Sequence, residues 1–241
     1  MKKNTIFIIA IVTTLMLVIL FLAFLSAKKK QSAEKTPPVL PAPTLPFSPG
    51  ATKRTIESPQ AVQQFFRDIS KGPIPESALS NGIERTRFKN KDGSTMPLDD
   101  FETAVGMKLS EQLRPFLDNA DYEIFYCPDN NSDKTFGIYL GYNVEKSYTN
   151  LYPDTLTWMK DWEKTMLKDL HPVLYPNINF SENDLGQKLD FKNGKFRFST
   201  IRLPEGQASS INYSVIGDGV LISGSPACLE KTVSLYEPIQ P

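Results

Sequence analysis

Apolar side chains recur every three to four residues in four segments of the chain, which is the spacing of an amphipathic helix. The first predicted helix begins at Ser58-Pro59 and stops at Gly72-Pro73, because these residue types start and end helices. The segment 97–119 predicts a second helix that is broken at Gly106. The apolar faces of these two helices comprise Val62, Phe65, Phe66 and Ile69, and Phe101, Val105, Leu109, Leu113, Phe116 and Leu117.

The third pattern covers 157–176, TWMKDWEKTMLKDLHPVLYP, which we predict to be one helix capped by Asp154 and ending near Pro172. Ser225 and Pro226 predict the start of a short last helix. At 100° per residue, the apolar residues of each segment fall within one arc. These residues are Met159, Trp162, Met166, Leu170 and Val173 in the third helix, and Leu229, Val233 and Tyr236 in the last.

Strand patterns fill the intervals between the predicted helices. The runs 121–127 and 136–142 flank a polar turn, and Asn193-Gly194 is typical of a two-residue hairpin between 188–191 and 195–203. Another hairpin is predicted around Gly217-Asp218-Gly219. Hairpins interrupted by helices indicate an α+β domain, in which an antiparallel sheet built of hairpins is covered on one face by amphipathic helices.

An uncharged, apolar stretch lies at the N-terminus over 4–27, between Lys2-Lys3 and Lys28 to Lys30. A helix of this length spans the ~30 Å hydrocarbon core of a bilayer. The stretch is longer than a cleaved signal peptide requires, and it lacks a good cleavage site. We therefore predict a transmembrane signal anchor over 1–30, in a single-pass protein of the plasma (cytoplasmic) membrane, with the short tail inside and the C-terminal domain outside the cytoplasm.

The segment 31–55 is rich in proline and follows the predicted anchor. Proline disfavours helix and sheet and favours the extended polyproline II conformation, so this segment is predicted to be a semi-rigid linker. Its Pro-x-x-Pro pairs also fit the ligands of SH3-like domains, which are uncommon outside the cytosol. The remainder, 56–241, is predicted to form one extracytoplasmic domain.

Charge divides the chain into a basic and an acidic part. Of its 241 residues, 27 are Lys or Arg and 27 are Asp or Glu. Eight basic residues and one acid precede residue 56, which leaves 19 basic and 26 acidic residues for the predicted domain. An acidic domain repels phosphate backbones, so we expect no nucleic-acid partner.

Glu163 is the one acid that falls inside the apolar arc of the helix over 157–176. A carboxylate in that position needs hydrogen bonds or a cationic partner. We predict that it anchors a loop or an arginine such as Arg202, and the alternative is a general acid. His171 precedes Pro172 and is predicted to contact carbonyls at the helix end, where a cationic ring is also favourable.

A calcium-binding loop is the one candidate metal site in the sequence. Asp129, Asn131 and Asp133 imitate the start of a calcium loop, but Lys134 and Leu140 occupy positions that require Gly and Glu, so a hairpin turn is favoured. With one histidine in the chain and no phosphate-binding Gly loop, we predict no metal and no cofactor.

Cys127 and Cys228 are the two cysteines of the chain. In an oxidising compartment they could close a loop of about 100 residues and add up to ~4–5 kcal/mol of stability. The alternative is two small buried hydrophobic side chains, as free cysteines often are. The residues alone favour neither alternative.

The stretch WMKDWEKTMLKDLHPVLYP, the following Asn-Gly turn and the run STIRLPEGQASSINYSVIGDGVLISGSPACLEKTV resemble a group of uncharacterised bacterial single-pass envelope proteins. These proteins have an N-terminal anchor, a Pro-rich stalk and one extracytoplasmic domain. The resemblance covers roughly 98–235 and is most specific in the Trp-Glu-Lys-Thr-Met run. It implies an envelope location and a shared fold, and it carries no activity, cofactor or catalytic residue.

Three functional hypotheses follow from these patterns. The first is a non-enzymatic envelope protein whose stalked domain binds another protein or a cell-surface polymer. The second is a membrane-tethered hydrolase of envelope material that uses a carboxylate such as Glu163. The third is a bitopic subunit of a secretion or pilus-like assembly, which rests on architecture alone.

Overall fold

The computed structural model of the chain describes residues 52–55, 58–71, 82–128, 134–204 and 206–236. All of them belong to the compact unit Pro46–Pro241. The predicted anchor over 1–30 and most of the predicted linker over 31–55 lie outside the described residues. Within the described ranges, no helix combines the length and the apolar character needed to cross a bilayer.

The described residues form one eight-stranded sheet with the strand order β1-β2-β3-β4-β8-β7-β6-β5. The strands are β1 (Thr52–Thr55), β2 (Glu84–Lys89), β3 (Leu117–Pro128), β4 (Lys134–Tyr142), β5 (Lys192–Asn193), β6 (Arg197–Arg202), β7 (Ala208–Ile216) and β8 (Gly219–Ser223).

Six α-helices accompany the sheet in this part of the chain. They are α1 (Pro59–Lys71), α2 (Leu98–Val105), α3 (Leu151–Trp162), α4 (Met166–Leu174), α5 (Glu182–Leu185) and α6 (Pro226–Tyr236). Arg114–Phe116 and Val144–Lys146 form 3₁₀ helices. The α+β class is confirmed, as are the first and last predicted helices.

The sheet is mixed, because β1 and β2 run parallel while every other neighbouring pair is antiparallel. The prediction of a purely antiparallel sheet is therefore wrong at this edge. Helix α1 lies between β1 and β2 in the chain, so the chain returns along the helix and begins β2 in the direction of β1. Strand β1 also shows that the last four residues of the predicted linker belong to the folded domain.

The hairpins β3–β4 and β7–β8 form as predicted, whereas the hairpin at Asn193-Gly194 differs from its prediction. Strand β5 has two residues, and its turn to β6 spans three, with the Gly194 amide donating to the Phe196 carbonyl at 3.1 Å. The segment 188–191 is not a strand. The amide of Asp190 donates to the side-chain oxygen of Ser199 at 3.1 Å, where a strand would donate to a backbone carbonyl.

Two predicted helices end earlier than expected. Gly106 adopts the left-handed conformation (φ 78°) and ends α2, so the residues that follow it form turns, a 3₁₀ helix and β3. Leu109 and Leu113 are buried nonetheless. The predicted second half of the broken helix is therefore wrong in conformation and correct in burial.

The predicted helix over 157–176 is two helices, α3 and α4. The Thr165 amide donates to the Trp162 carbonyl at 3.0 Å, which closes a tight turn between them. The side chains of Trp162 and Thr165 both donate to Asp169 Oδ2, at 2.8 and 2.6 Å, and stabilise that turn. Asp154 lies in the first turn of α3, and Pro172 lies inside α4.

Both faces of the sheet are covered, so the prediction of one covered face is wrong. Helices α1 to α4 pack on the larger core of the first face, and α6 packs on a smaller core of the second face. The physical reason lies in β3, where Ile124 and Tyr126 point to the first core while Phe125 and Cys127 point to the second. A strand that is apolar on both sides needs two covers.

Candidate functional site

Glu163 ties the end of α3 to the sheet. Its carboxylate accepts two hydrogen bonds from Arg197, at 2.7 and 3.1 Å, and one from the Tyr213 hydroxyl at 2.7 Å. Arg197 and Tyr213 face each other in the β6–β7 register. The hydrogen bond to Glu163 raises the pKa of Arg197, so the guanidinium stays charged.

The predicted role of Glu163 as an anchor fits these contacts, but its partner is Arg197 and not Arg202. Arg202 is exposed, and its backbone N–H and C=O pair with the side-chain amide of Gln187 at 2.9 and 3.1 Å. Both carboxylate oxygens of Glu163 accept hydrogen bonds within the protein. That arrangement suits a structural ion pair and opposes a general acid.

Glu163→Gln is expected to lower the free energy of unfolding by about 1.5–3 kcal/mol, the range for hydrogen bonds to charged groups. The glutamine side chain has no negative charge to pair with Arg197, and it has one acceptor oxygen where glutamate has two. Urea unfolding measures the change, and a double-mutant cycle with Tyr213→Phe should give a coupling of about 0.5–3 kcal/mol. Loss of a cellular function with unchanged unfolding would contradict the structural role.

His171 is explained by the proline that follows it. Pro172 has no N–H, so the carbonyl of Lys168, four residues earlier, lacks its helical donor. The Nδ1 of His171 lies 2.9 Å from that carbonyl oxygen, and because a carbonyl only accepts, Nδ1 carries the proton. The predicted contact with a backbone carbonyl is present: His171 lies in the last turn of α4, and the carbonyl that it contacts belongs to Lys168 in the same helix.

Asp129, Asn131 and Asp133 lie outside the described residues. Among the residues that are described, no group of three or more His, Cys, Asp or Glu side chains is arranged to hold a metal ion. Cys127 and Cys228 are joined in a disulfide with a Cα–Cα distance of 5.7 Å. This bond links the end of β3 to the start of α6.

Seven charged or hydroxyl-bearing side chains, which we call the second-face network, converge beside α6. Glu123 is buried at its centre. It binds Arg87 Nε at 2.7 Å, lies 3.6 Å from Arg85 Nη1 and accepts a hydrogen bond from Tyr236 at 2.6 Å. The network comprises Arg85, Arg87, Asp121, Glu123, Tyr139, Asp218 and Tyr236.

Two carboxyl groups of this network face one hydroxyl. The Tyr139 oxygen lies 3.4 Å from Asp121 Oδ2 and 3.1 Å from Asp218 Oδ2. Burial raises the pKa of Asp121, although Arg87, 2.9 Å from its other oxygen, opposes the shift. Burial also raises the pKa of Asp218, and the negative charge of Asp121 adds to that effect.

The sequence patterns did not reveal this network. Asp121 and Glu123 alternate with Tyr122 and Ile124 along β3, so they are read as the solvent side of a half-buried strand. The signal that could have found them is Phe125 and Cys127, which continue the same side of β3 and indicate a second cover. The partners of the acids come from β2, β4, α6 and the β7–β8 turn, and no local pattern predicts that pairing.

The segment 144–152 exposes three large hydrophobic side chains: Val144 (74% exposed), Tyr148 (40%) and Tyr152 (49%). Beside Tyr148, the rings of Phe116 and Trp158 stack with their centroids 4.8 Å apart, and the Phe116 ring lies 5.7 Å from that of Tyr148. We call these five side chains the aromatic surface.

Hydrogen bonds fix the Tyr148 side chain and the backbone on either side of the aromatic surface. The Tyr148 hydroxyl donates to Asp154 at 2.6 Å, which raises the pKa of Tyr148 to about 12 and keeps it neutral. Lys146 Nζ donates to the carbonyl of Pro115 at 3.0 Å, next to Phe116. Asn143 caps the 3₁₀ helix Val144–Lys146 by accepting from the Glu145 amide at 2.9 Å.

Comparisons of the chain with protein-family models, with curated proteins and with solved structures find no match.

Proposed function

We propose that this chain is a membrane-anchored envelope protein whose folded domain lies outside the cytoplasm and binds another protein without catalysing a reaction. The uncharged stretch over 4–27 supports the anchor, since it suits a bilayer span. The Cys127–Cys228 disulfide supports the location, because disulfides persist in oxidising compartments and are rare in the cytosol.

The observation that carries the binding role is the exposure of Val144, Tyr148 and Tyr152. Large apolar side chains that are exposed close together in the sequence, beside the ring contacts of Phe116 with Tyr148 and Trp158, are a feature of interaction sites. Tyr and Trp are enriched at protein interfaces, where they supply most of the binding energy from few residues. Since a hydrogen bond to Asp154 already holds the Tyr148 side chain, binding costs little ordering of that side chain.

The hydrolase hypothesis receives less support from these contacts. Its named carboxylate, Glu163, is engaged by Arg197 and Tyr213. A general acid must reach the substrate, and both oxygens of this carboxylate are directed into the protein. We therefore favour the binding role over catalysis at Glu163.

Photo-crosslinking in intact cells tests the proposed binding surface. We expect a photoreactive phenylalanine analogue at position 152 to give a defined crosslinked protein of higher mass. Tyr148→Ser should lower the yield of that product severalfold, because it removes a neighbouring contact while leaving stability within about 0.5–1 kcal/mol of the wild type.

The matched control places the same analogue at position 164, where the Lys164 side chain is 80% exposed and lies just past the end of α3, while Tyr152 lies at its start. We expect no defined product there. The proposal is wrong if positions 152 and 164 give the same products, or if Tyr148→Ser leaves the product at 152 unchanged.

A further inference from the structure

The Tyr139 hydroxyl has one hydrogen and faces three acceptor oxygens. One phenolic hydrogen faces Asp121 Oδ2 at 3.4 Å, Asp218 Oδ2 at 3.1 Å and the Asp218 carbonyl oxygen at 3.4 Å. A hydroxyl donates one hydrogen bond. When both carboxyl groups are ionised, the second one faces the lone pairs of the hydroxyl oxygen. When one carboxyl carries a proton, it donates to that oxygen, and all three groups are satisfied.

Two glycines let these groups approach each other closely. Gly141 and Gly219 face each other in the β4–β8 register. A Cβ at position 141 would overlap the Asp121 carboxylate, and one at position 219 would overlap the Leu140 carbonyl oxygen. The Asp121 side chain therefore lies against bare backbone, and the absence of two side chains brings the β7–β8 turn close to it.

The neighbouring charged side chains do not supply the hydrogen that the second carboxyl group lacks. Arg87 binds Asp121 Oδ1 and Glu123, and Arg85 lies beside Glu123. Asp118 on β3 adds a further negative charge near Asp121. Among the described residues, Asp218 forms no ion pair.

We propose that Asp121 and Asp218 share one proton across the Tyr139 hydroxyl, and that this proton latches the β7–β8 turn and the end of α6 to the sheet. The turn is connected through the Asp218 carbonyl, which accepts from the Tyr142 amide at 2.8 Å. The end of α6 is connected through Tyr236, whose ring stacks on Tyr139 with centroids 4.4 Å apart. Loss of the proton leaves two facing carboxylates, whose repulsion loosens both contacts.

The sign of the pH dependence follows from linkage. Burial raises the pKa of both carboxyl groups in the folded state, so the folded protein holds a proton that the unfolded chain releases above about pH 4. Stability from this latch is fully present below the ordinary Asp pKa and is lost as the pH rises through the raised value. This inference goes beyond the proposed binding role, and it would give an extracytoplasmic domain a response to external pH.

Urea unfolding across pH 4–8 tests the shared proton. Between the ordinary Asp pKa and the raised value, the folded protein holds the proton and the unfolded chain does not, so we expect the folding equilibrium constant of the wild type to fall by up to about tenfold per pH unit in that range. Asp218→Asn should abolish this fall of stability with pH, because the side-chain amide of asparagine donates to the Tyr139 oxygen at every pH. The control Asp161→Asn, at an exposed acid outside the network, should retain the wild-type dependence.

Hydrogen exchange of the wild type tests the latch and does not require a variant to fold. The Tyr142 amide reports on the turn, and the Gly224 amide, which donates to Phe136 at 3.0 Å, reports on the opposite end of the β4–β8 pair. We expect the protection of Tyr142 to fall relative to that of Gly224 as the pH rises. A constant ratio across pH 4–8, or an Asp218→Asn variant with the wild-type pH dependence, would overturn the proposal.

Discussion

Removal of the Cys127–Cys228 disulfide is expected to lower the free energy of unfolding by about 4–5 kcal/mol. The two cysteines are 101 residues apart in the sequence, so the bond closes a long loop and restricts the unfolded chain strongly. The loss is a large share of the 5–15 kcal/mol that is typical of a domain. Urea unfolding of the variant Cys127→Ala/Cys228→Ala measures the change.

The wild type unfolded under reducing conditions is the matched control. It loses the covalent bond and keeps both sulfur atoms, so it separates the crosslink from packing at these two buried positions. We expect the reduced wild type to show most of the loss and the alanine variant to show slightly more. Equal stability of the oxidised and reduced proteins would contradict the stabilising role of the bond.

Trp162→Ala is expected to lower the free energy of unfolding by about 3–5 kcal/mol, the usual cost of truncating a core aromatic side chain. Trp162 is 4% exposed and belongs to the larger core. Its indole nitrogen also donates to Asp169, so truncation removes a hydrogen bond from the turn between α3 and α4. Thermal and urea unfolding both report the effect.

Trp162→Phe separates the ring from the hydrogen bond. It retains most of the apolar volume and leaves Asp169 with the Thr165 hydroxyl as donor. We expect a loss of about 1–2 kcal/mol for this variant, since one hydrogen bond and a small volume are removed. If both variants lost the same amount, the core packing of Trp162 would not be the main stabilising contact.

Local patterns predicted the elements that local chemistry determines. Pro59 starts α1 and Pro226 starts α6, because proline has no N–H that a first helical turn would leave free. At α6 the Ser225 side-chain oxygen also accepts from the Cys228 amide at 3.4 Å. The apolar spacing of Met159, Trp162 and Met166 predicted their burial correctly even though the helix is interrupted between them. Apolar spacing predicts burial over short stretches of the chain, so the burial of these residues is unchanged by the tight turn between them.

The remaining features depend on contacts between distant residues. Glu163 was recognisable as an acid in an apolar arc, but its partner is set by the β6–β7 register, which places Arg197 opposite Tyr213. The second-face network likewise requires β2, β3, β4, α6 and the β7–β8 turn to meet. The turn after Trp162 depends on Asp169, seven residues later, and helical spacing does not report such a contact.

The measurement that tests the proposed role most directly is thiol labelling in cells whose cytoplasmic membrane is intact. Lys164→Cys places one free thiol at a site where the native side chain is 80% exposed. The unsubstituted chain is the control, because its two cysteines are bonded to each other and should not react. A small membrane-impermeant maleimide should label the variant as fully before lysis of the cells as after it. Labelling that requires lysis would place the domain in the cytoplasm and contradict the proposed envelope role.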